Sequence, residues 1–143
     1  GKPNTRSFEI MFNKCRKAHE MERALGFFEE MKALEVPRDE ALYCAYIKAV
    51  AEGPHWVKGF ETTLYEAILK IEADQFVPTV ALYNSIIYAF ARARDSKAAE
   101  YYFWEMKEKG LKPDTLTYDS LLLALAREQA IGAKTYGGGV REA

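Results

Sequence analysis

One apolar pattern is printed four times along this chain. Phe8, Met11, Phe12 and Cys15 stand at steps i, i+3, i+4 and i+7. The same steps return as Tyr43, Tyr46, Ile47 and Val50, as Tyr83, Ile86, Ile87 and Phe90, and as Tyr118, Leu121, Leu122 and Leu125. Residues so spaced stack on one face of an α-helix, which turns once every 3.6 residues. The copies are offset by 35, 40 and 35 residues. A helical stripe returning at that interval predicts an all-α solenoid, in which each unit is buried by its neighbours rather than around one central core.

A second series lies between these stripes. Ala24, Phe27, Phe28 and Met31 match Leu64, Ala67, Ile68 and Ile71, which match Ala99, Tyr102, Phe103 and Met106. Here the offsets are 40 and then 35. Comparison of the two series places five extra residues after Val50 and before Leu64, in the stretch Glu52 to Gly59 with its Gly53, Pro54 and Gly59. These are loop residues by composition. Each unit therefore reads as a hairpin of a first and a second helix. The links between units carry Pro3, Pro37, Pro78 and Pro113, which stop one helix and preset the turn to the next. Gly110 is placed to cap the third second helix.

The expected organisation is the end of a preceding repeat at 1–4, then repeats at 5–39, 40–79 and 80–114. The first helix of a fourth repeat follows at 115–127, and an irregular segment at 128–143. Gly1-Lys2-Pro3-Asn4 resembles Gly110 to Asp114 shortened by one residue, as though a unit ended there. A fourth second helix would fall near Lys134 to Arg141, where Gly137-Gly138-Gly139 opposes helix formation. Residues Glu128 to Tyr136, another segment or another protein would then have to cover the fourth stripe.

A net charge of −1 and an isoelectric point near 6.2 do not indicate a strongly basic nucleic-acid binder. Two distant cysteines make no disulfide framework, and Cys15 belongs to an apolar stripe, so a reducing compartment is the easier reading. The longest apolar run, Leu121 to Ala126, is too short to cross a bilayer. Cys15 and His19 are four residues apart, but no second pair stands at ligand spacing, so neither a metal nor another cofactor is expected. The sequence lacks a nucleophile with a paired base, and its triple glycine lacks the lysine and hydroxyl of a phosphate loop. Catalysis is not expected.

The third unit carries a clear family likeness. It reads Val80-Ala81-Leu82-Tyr83-Asn84-Ser85-Ile86-Ile87, then Ala98-Ala99-Glu100, then Phe103-Trp104-Glu105-Met106-Lys107-Glu108-Lys109-Gly110-Leu111-Lys112-Pro113-Asp114. Phe28-Glu29-Glu30-Met31-Lys32 in the first unit and Pro113 through Leu122 in the fourth repeat the theme; the second unit diverges. With its 35-residue period, the chain resembles the pentatricopeptide repeat family over residues 1 to 127. The tryptophan and glycine signature of tetratricopeptide repeats is missing.

The resemblance implies a right-handed superhelix whose first helices line a groove for single-stranded RNA, one base per repeat being read by two or three side chains. It implies reading pairs Glu9 with Asp39, Cys44 with Thr79, and Asn84 with Asp114, while Asp119 opens an incomplete pair. Only Asn84 with Asp114 is a usual family combination, associated with uracil. Counting from Pro37 would substitute Arg38 for Asp39. Lys17, Arg92 and Arg127 fall where the family places cations near the RNA backbone. The ordinary readings compete: Asn4, Asp39, Thr79 and Asp114 are all good helix N-caps, and cations near a helix C-terminus are favoured by its dipole. The further groove positions are mixed, namely Asn13 and Arg16, Lys48, Tyr88 and Leu123, and Tyr88 could stack on a base or pack on a neighbouring helix. Tyr101, Trp104 and Trp56 stand off the stripes, as a protein contact or as cover for the outer seam.

Two functions follow from the resemblance. One is RNA binding in mitochondrial or plastid transcript metabolism or translation, without catalysis. The other is a structural subunit of a large ribonucleoprotein such as the mitochondrial ribosome, contacting proteins and rRNA without reading bases. Neither involves a membrane.

Overall fold

A computed structural model describes residues 3–127 of the chain. It contains α1 (Thr5–Ala18), α2 (Met21–Ala33), α3 (Glu40–Ala51), α4 (Phe60–Ala73), α5 (Val80–Arg92), α6 (Ser96–Glu108) and a seventh helix, α7, over 115–127. There is no strand among the described residues. The two apolar series fall on alternate helices. The odd-numbered helices carry the first, and α2, α4 and α6 carry the second. The expectations for 128–143 lie outside the described residues.

The helices start where they do because each odd-numbered one is capped by its preceding residue. The side chains of Asn4, Asp39, Thr79 and Asp114 accept hydrogen bonds from the backbone N–H of Ser7, Leu42, Leu82 and Thr117, at 3.0, 2.9, 3.2 and 3.1 Å. Each bond satisfies an amide that has no partner inside its helix. The links 34–39, 74–79 and 109–114 are all six residues long, so the early position of Pro37 does not shift the cap away from Asp39. Arg38 turns instead toward Asp74, with 2.7 Å between Nε and Oδ2.

Packing follows the two stripes. Along the first series α1 lies against α3 and α3 against α5, and close packing among α1–α6 always involves an odd-numbered helix. Helix α2 fills the angle between α1 and α3, and α4 that between α3 and α5. Phe8, Phe12, Tyr43, Ile47, Ile87 and Phe90 are fully or almost fully enclosed. Burying a side chain of this size contributes ~1.5–3 kcal/mol, so the stacked stripes supply most of the stabilisation. Ala24 and Ala99 are wholly buried, letting α2 and α6 approach their partners. The chain is thus an all-α repeat solenoid with a continuous inner layer of first helices.

Irregularity is confined to the turns. The hairpin turns span 19–20, 52–59 and 93–95, and the long second one tucks Gly53 beneath Met21 and Phe60. A Cβ at Gly53 would run into both side chains, so glycine permits this close approach. In α7, the last described helix, two of the four stripe residues are exposed, Tyr118 at 48% and Leu122 at 63%. No described helix is long and apolar enough to cross a membrane.

Candidate nucleic-acid interface

A groove of about 820 Å³ crosses the first helices. Its lining comes from α1, α3, α5 and α7 and from two of their caps, with nothing from α2, α4 or α6. This follows from the stripe pattern. The apolar face of each first helix is turned to its hairpin partner and its neighbours, leaving another face to line the inner surface.

At the N-terminal ends of the helices the groove holds Cys44, Thr79, Asn84 and Asp114, four of the seven expected reading positions. Glu9, Asp39 and Asp119 are not part of its lining. Asn84 and Asp114 meet: the Asn84 Nδ2 donates to Asp114 Oδ1 at 3.0 Å. The Thr117 hydroxyl donates to Asn84 Oδ1 and contacts Asp114 Oδ1 at 3.1 Å, while Asp114 N–H donates to Thr117 Oγ1 at 3.0 Å. The hydrogen bond from Asn84, followed by those from Thr117, holds the Asp114 carboxyl below its ordinary pKa. An ionised carboxylate only accepts, so the amide nitrogen of Asn84 must face Asp114 and its oxygen must face Thr117.

Capping and orienting are therefore done by one side chain. Asp114 caps α7 and grips the Asn84 amide together, so the two readings of that residue are compatible. Asn84 is almost buried at 9% exposure, and its amide retains one N–H and one oxygen lone pair beyond these bonds. A donor beside an acceptor on a rigid planar group matches the Watson–Crick edge of a single unpaired base. Thr117 is the residue that pattern reading did not single out. Its signal was a threonine three positions after a cap, in a column where the second and third units carry Leu42 and Leu82.

The other pairs have no such geometry. Thr79 spends its hydroxyl on the cap of α5, and no Cys44–Thr79 hydrogen bond occurs among the described residues. Burial raises the Cys44 pKa, which Ser85 lowers in part, so the thiol is neutral at physiological pH. Asp39 is likewise a cap. Among the cations, Arg92 Nε donates to the Ala51 carbonyl at 3.1 Å, and Arg127 donates to the Ala91 carbonyl at 3.2 Å. These are equivalent bonds one repeat apart: each guanidinium reaches back to the C-terminal turn of the preceding first helix, where the dipole favours positive charge. Arg92 also pairs with Glu52 at 3.3 Å, and Glu52 contacts His19 Nδ1 at 3.1 Å. Lys17 is exposed and lies outside the groove.

Comparison with known proteins agrees with this geometry. Two family models match, one described as the PPR repeat family over residues 78–127 and one as the PPR repeat over residues 6–36. The pentatricopeptide repeat-containing protein At3g29290 of Arabidopsis thaliana is 25% identical over 126 residues, covering 88% of this chain and 22% of its own length. The putative pentatricopeptide repeat-containing protein At1g02420 of the same plant is 39% identical over 57 residues, 40% of this chain and 11% of its own. A crystal structure of the pentatricopeptide repeat protein PPR10 from maize superposes with a TM-score of 0.64 at 22% identity, covering 95% of this chain and 20% of that one. The chain thus spans about a fifth or less of the length of these proteins.

Proposed function

Because the chain belongs to the pentatricopeptide repeat family, we propose that its inner groove binds single-stranded RNA without catalysis, with Asn84 contacting one base. The observation carrying this reading is the Asn84–Asp114–Thr117 cluster. It holds a nearly buried amide in one orientation at the groove wall while leaving donor and acceptor capacity unspent. Uracil is the base of choice, since its ring N–H and carbonyl complement that amide and the pair is the family's uracil combination. Cys44 with Thr79 forms the neighbouring, less selective position. This reading assigns no contact with that base to Glu9, Asp39 or Asp119, which belong to other repeats. The setting is organellar RNA metabolism, in a mitochondrion or plastid, as the family membership suggests.

Titration of the protein with short oligoribonucleotides tests this. Uridine-rich strands should bind more tightly than adenosine-rich ones, and Asn84→Ala should cost roughly tenfold in affinity for the former, the worth of a lost hydrogen bond or two. Equal affinity for both strands, indifferent to Asn84→Ala, would overturn the reading.

A second reading is a structural role in a large ribonucleoprotein such as the mitochondrial ribosome, with protein and rRNA neighbours. It is supported by the aromatics on the outer surface of α6, where Tyr101 is 61% and Trp104 55% exposed. Stable co-sedimentation with a large particle that survives Asn84→Ala but not Trp104→Ala would favour it.

A further inference from the structure

The groove is chemically divided along the helix axes. Its amide and carboxylate groups, Asn84 and Asp114 with Glu40, stand toward the N-terminal ends, and Arg16 and Lys48 stand toward the C-terminal ends of α1 and α3. Tyr88, one repeat beyond Lys48 in the same register, completes that rim. Arg16 Nε is buried and has no hydrogen-bond partner among the described residues. Neither Arg16 nor Lys48 takes part in an ion pair among them. A charged nitrogen removed from water with nothing to bind is unfavourable unless an acceptor arrives. A guanidinium and an ammonium on the wall of one groove are suited to phosphodiester oxygens.

The cations at the ends of α5 and α7 are differently placed. Arg92 and Arg127 are engaged by backbone carbonyls, and Arg92 by Glu52 as well, so their donors are already committed to the fold. We infer that Arg16 and Lys48 form the phosphate-binding rim of the groove. They hold the backbone of a single RNA strand whose base is presented to Asn84, and Tyr88 offers a ring on which an adjacent base stacks. This rests on the RNA-binding reading above, and it adds where the backbone lies and which cations neutralise it. The strand then crosses the helices with phosphates toward their C-terminal ends and bases toward their N-terminal ends.

Salt dependence of RNA affinity separates this inference from its premise. For a single strand each neutralised phosphate contributes ~0.7 to the slope of log K against log salt. Arg16→Gln and Lys48→Gln, measured with a uridine-rich oligoribonucleotide, should each lower the slope by roughly that amount, and the double variant by about twice it. Lys70→Gln removes an equal charge from the outer surface, where Lys70 pairs with Glu29 at 2.6 Å, and should leave the slope unchanged. Arg16→Lys keeps the charge and should restore the slope, which excludes a merely structural loss. Thermal midpoints of all variants report whether the fold persists. If the parent protein binds no RNA, the functional reading itself fails. If it binds and the slopes of both groove variants equal that of Lys70→Gln, the rim is elsewhere and this inference is overturned.

Discussion

At Tyr46 a hydroxyl stands where the matching positions hold Met11, Ile86 and Leu121. The ring stacks on Phe28 with centroids 4.1 Å apart, but the buried hydroxyl has no partner among the described residues, and burial pushes its pKa far up. An unsatisfied buried hydroxyl costs ~1–3 kcal/mol. Tyr46→Phe keeps the stacked ring and removes the cost, so it should raise the urea midpoint by about 1 kcal/mol of stability with the slope unchanged. Tyr43, by contrast, has partners for its hydroxyl. Its hydroxyl donates to Asp74 at 2.6 Å and receives Arg38 Nε at 3.2 Å, and burial followed by the Asp74 contact moves its pKa to about 12. Tyr43→Phe should shift the midpoint the other way. Both tyrosines were legible as stripe residues, whereas the fate of each hydroxyl depended on what the neighbouring unit placed beside it.

The second helices share one way of ending. After α2, α4 and α6 the chain turns left-handed at Glu35, Gln75 and Gly110, with φ of 54°, 59° and 81°. Gly110 N–H bonds to the Lys107 carbonyl and Leu111 N–H to the Met106 carbonyl, each at 2.9 Å, which closes a Schellman turn. Glu35 and Val36 repeat it against Lys32 and Met31, and Val36 is buried there as Leu111 is partly buried at the matching position. Glycine reaches this conformation without the steric cost that a Cβ brings. Glu35→Gly and Gln75→Gly should therefore each stabilise the protein, by about 0.5–1 kcal/mol, raising the thermal midpoint by a few degrees. A fall in midpoint for both would show that their side chains matter more than the backbone strain. Gly110 announced its turn in the sequence. Glu35 and Gln75 did not, because their neighbours impose a conformation that their own propensities oppose.

Across the whole molecule, the ends of the first helices are tied to one another. Arg92 reaches from α5 to the last carbonyl of α3, and Glu52 links that arginine to His19 beyond the end of α1. The tie spans three repeats at their least regular place, beside the long 52–59 turn. Arg92→Met retains the aliphatic stem while leaving the Ala51 carbonyl and most of Glu52 without a donor. It should cost ~1–3 kcal/mol in chemical denaturation, the range for stranding a half-buried polar group. An unchanged midpoint would mean that water replaces the guanidinium there. In a solenoid such ties matter because each unit is stabilised only by its neighbours.

Helix type, the paired stripes and the site of the inserted turn were determined by the sequence alone. They rest on periodicity and on proline and glycine, which act within a few residues of themselves. The cap role of Asn4, Asp39, Thr79 and Asp114 was legible for the same local reason. Tertiary structure decided the rest. It brought Thr117 onto Asn84, turned Arg92 and Arg127 to backbone carbonyls, and left the buried Arg16 Nε on the groove wall with no hydrogen-bond partner among the described residues. These partners are 30 or more residues apart in the chain wherever they meet. Which side chains touch across a repeat boundary depends on how neighbouring hairpins stack, and that geometry is set by the packing of many side chains at once rather than by any short motif.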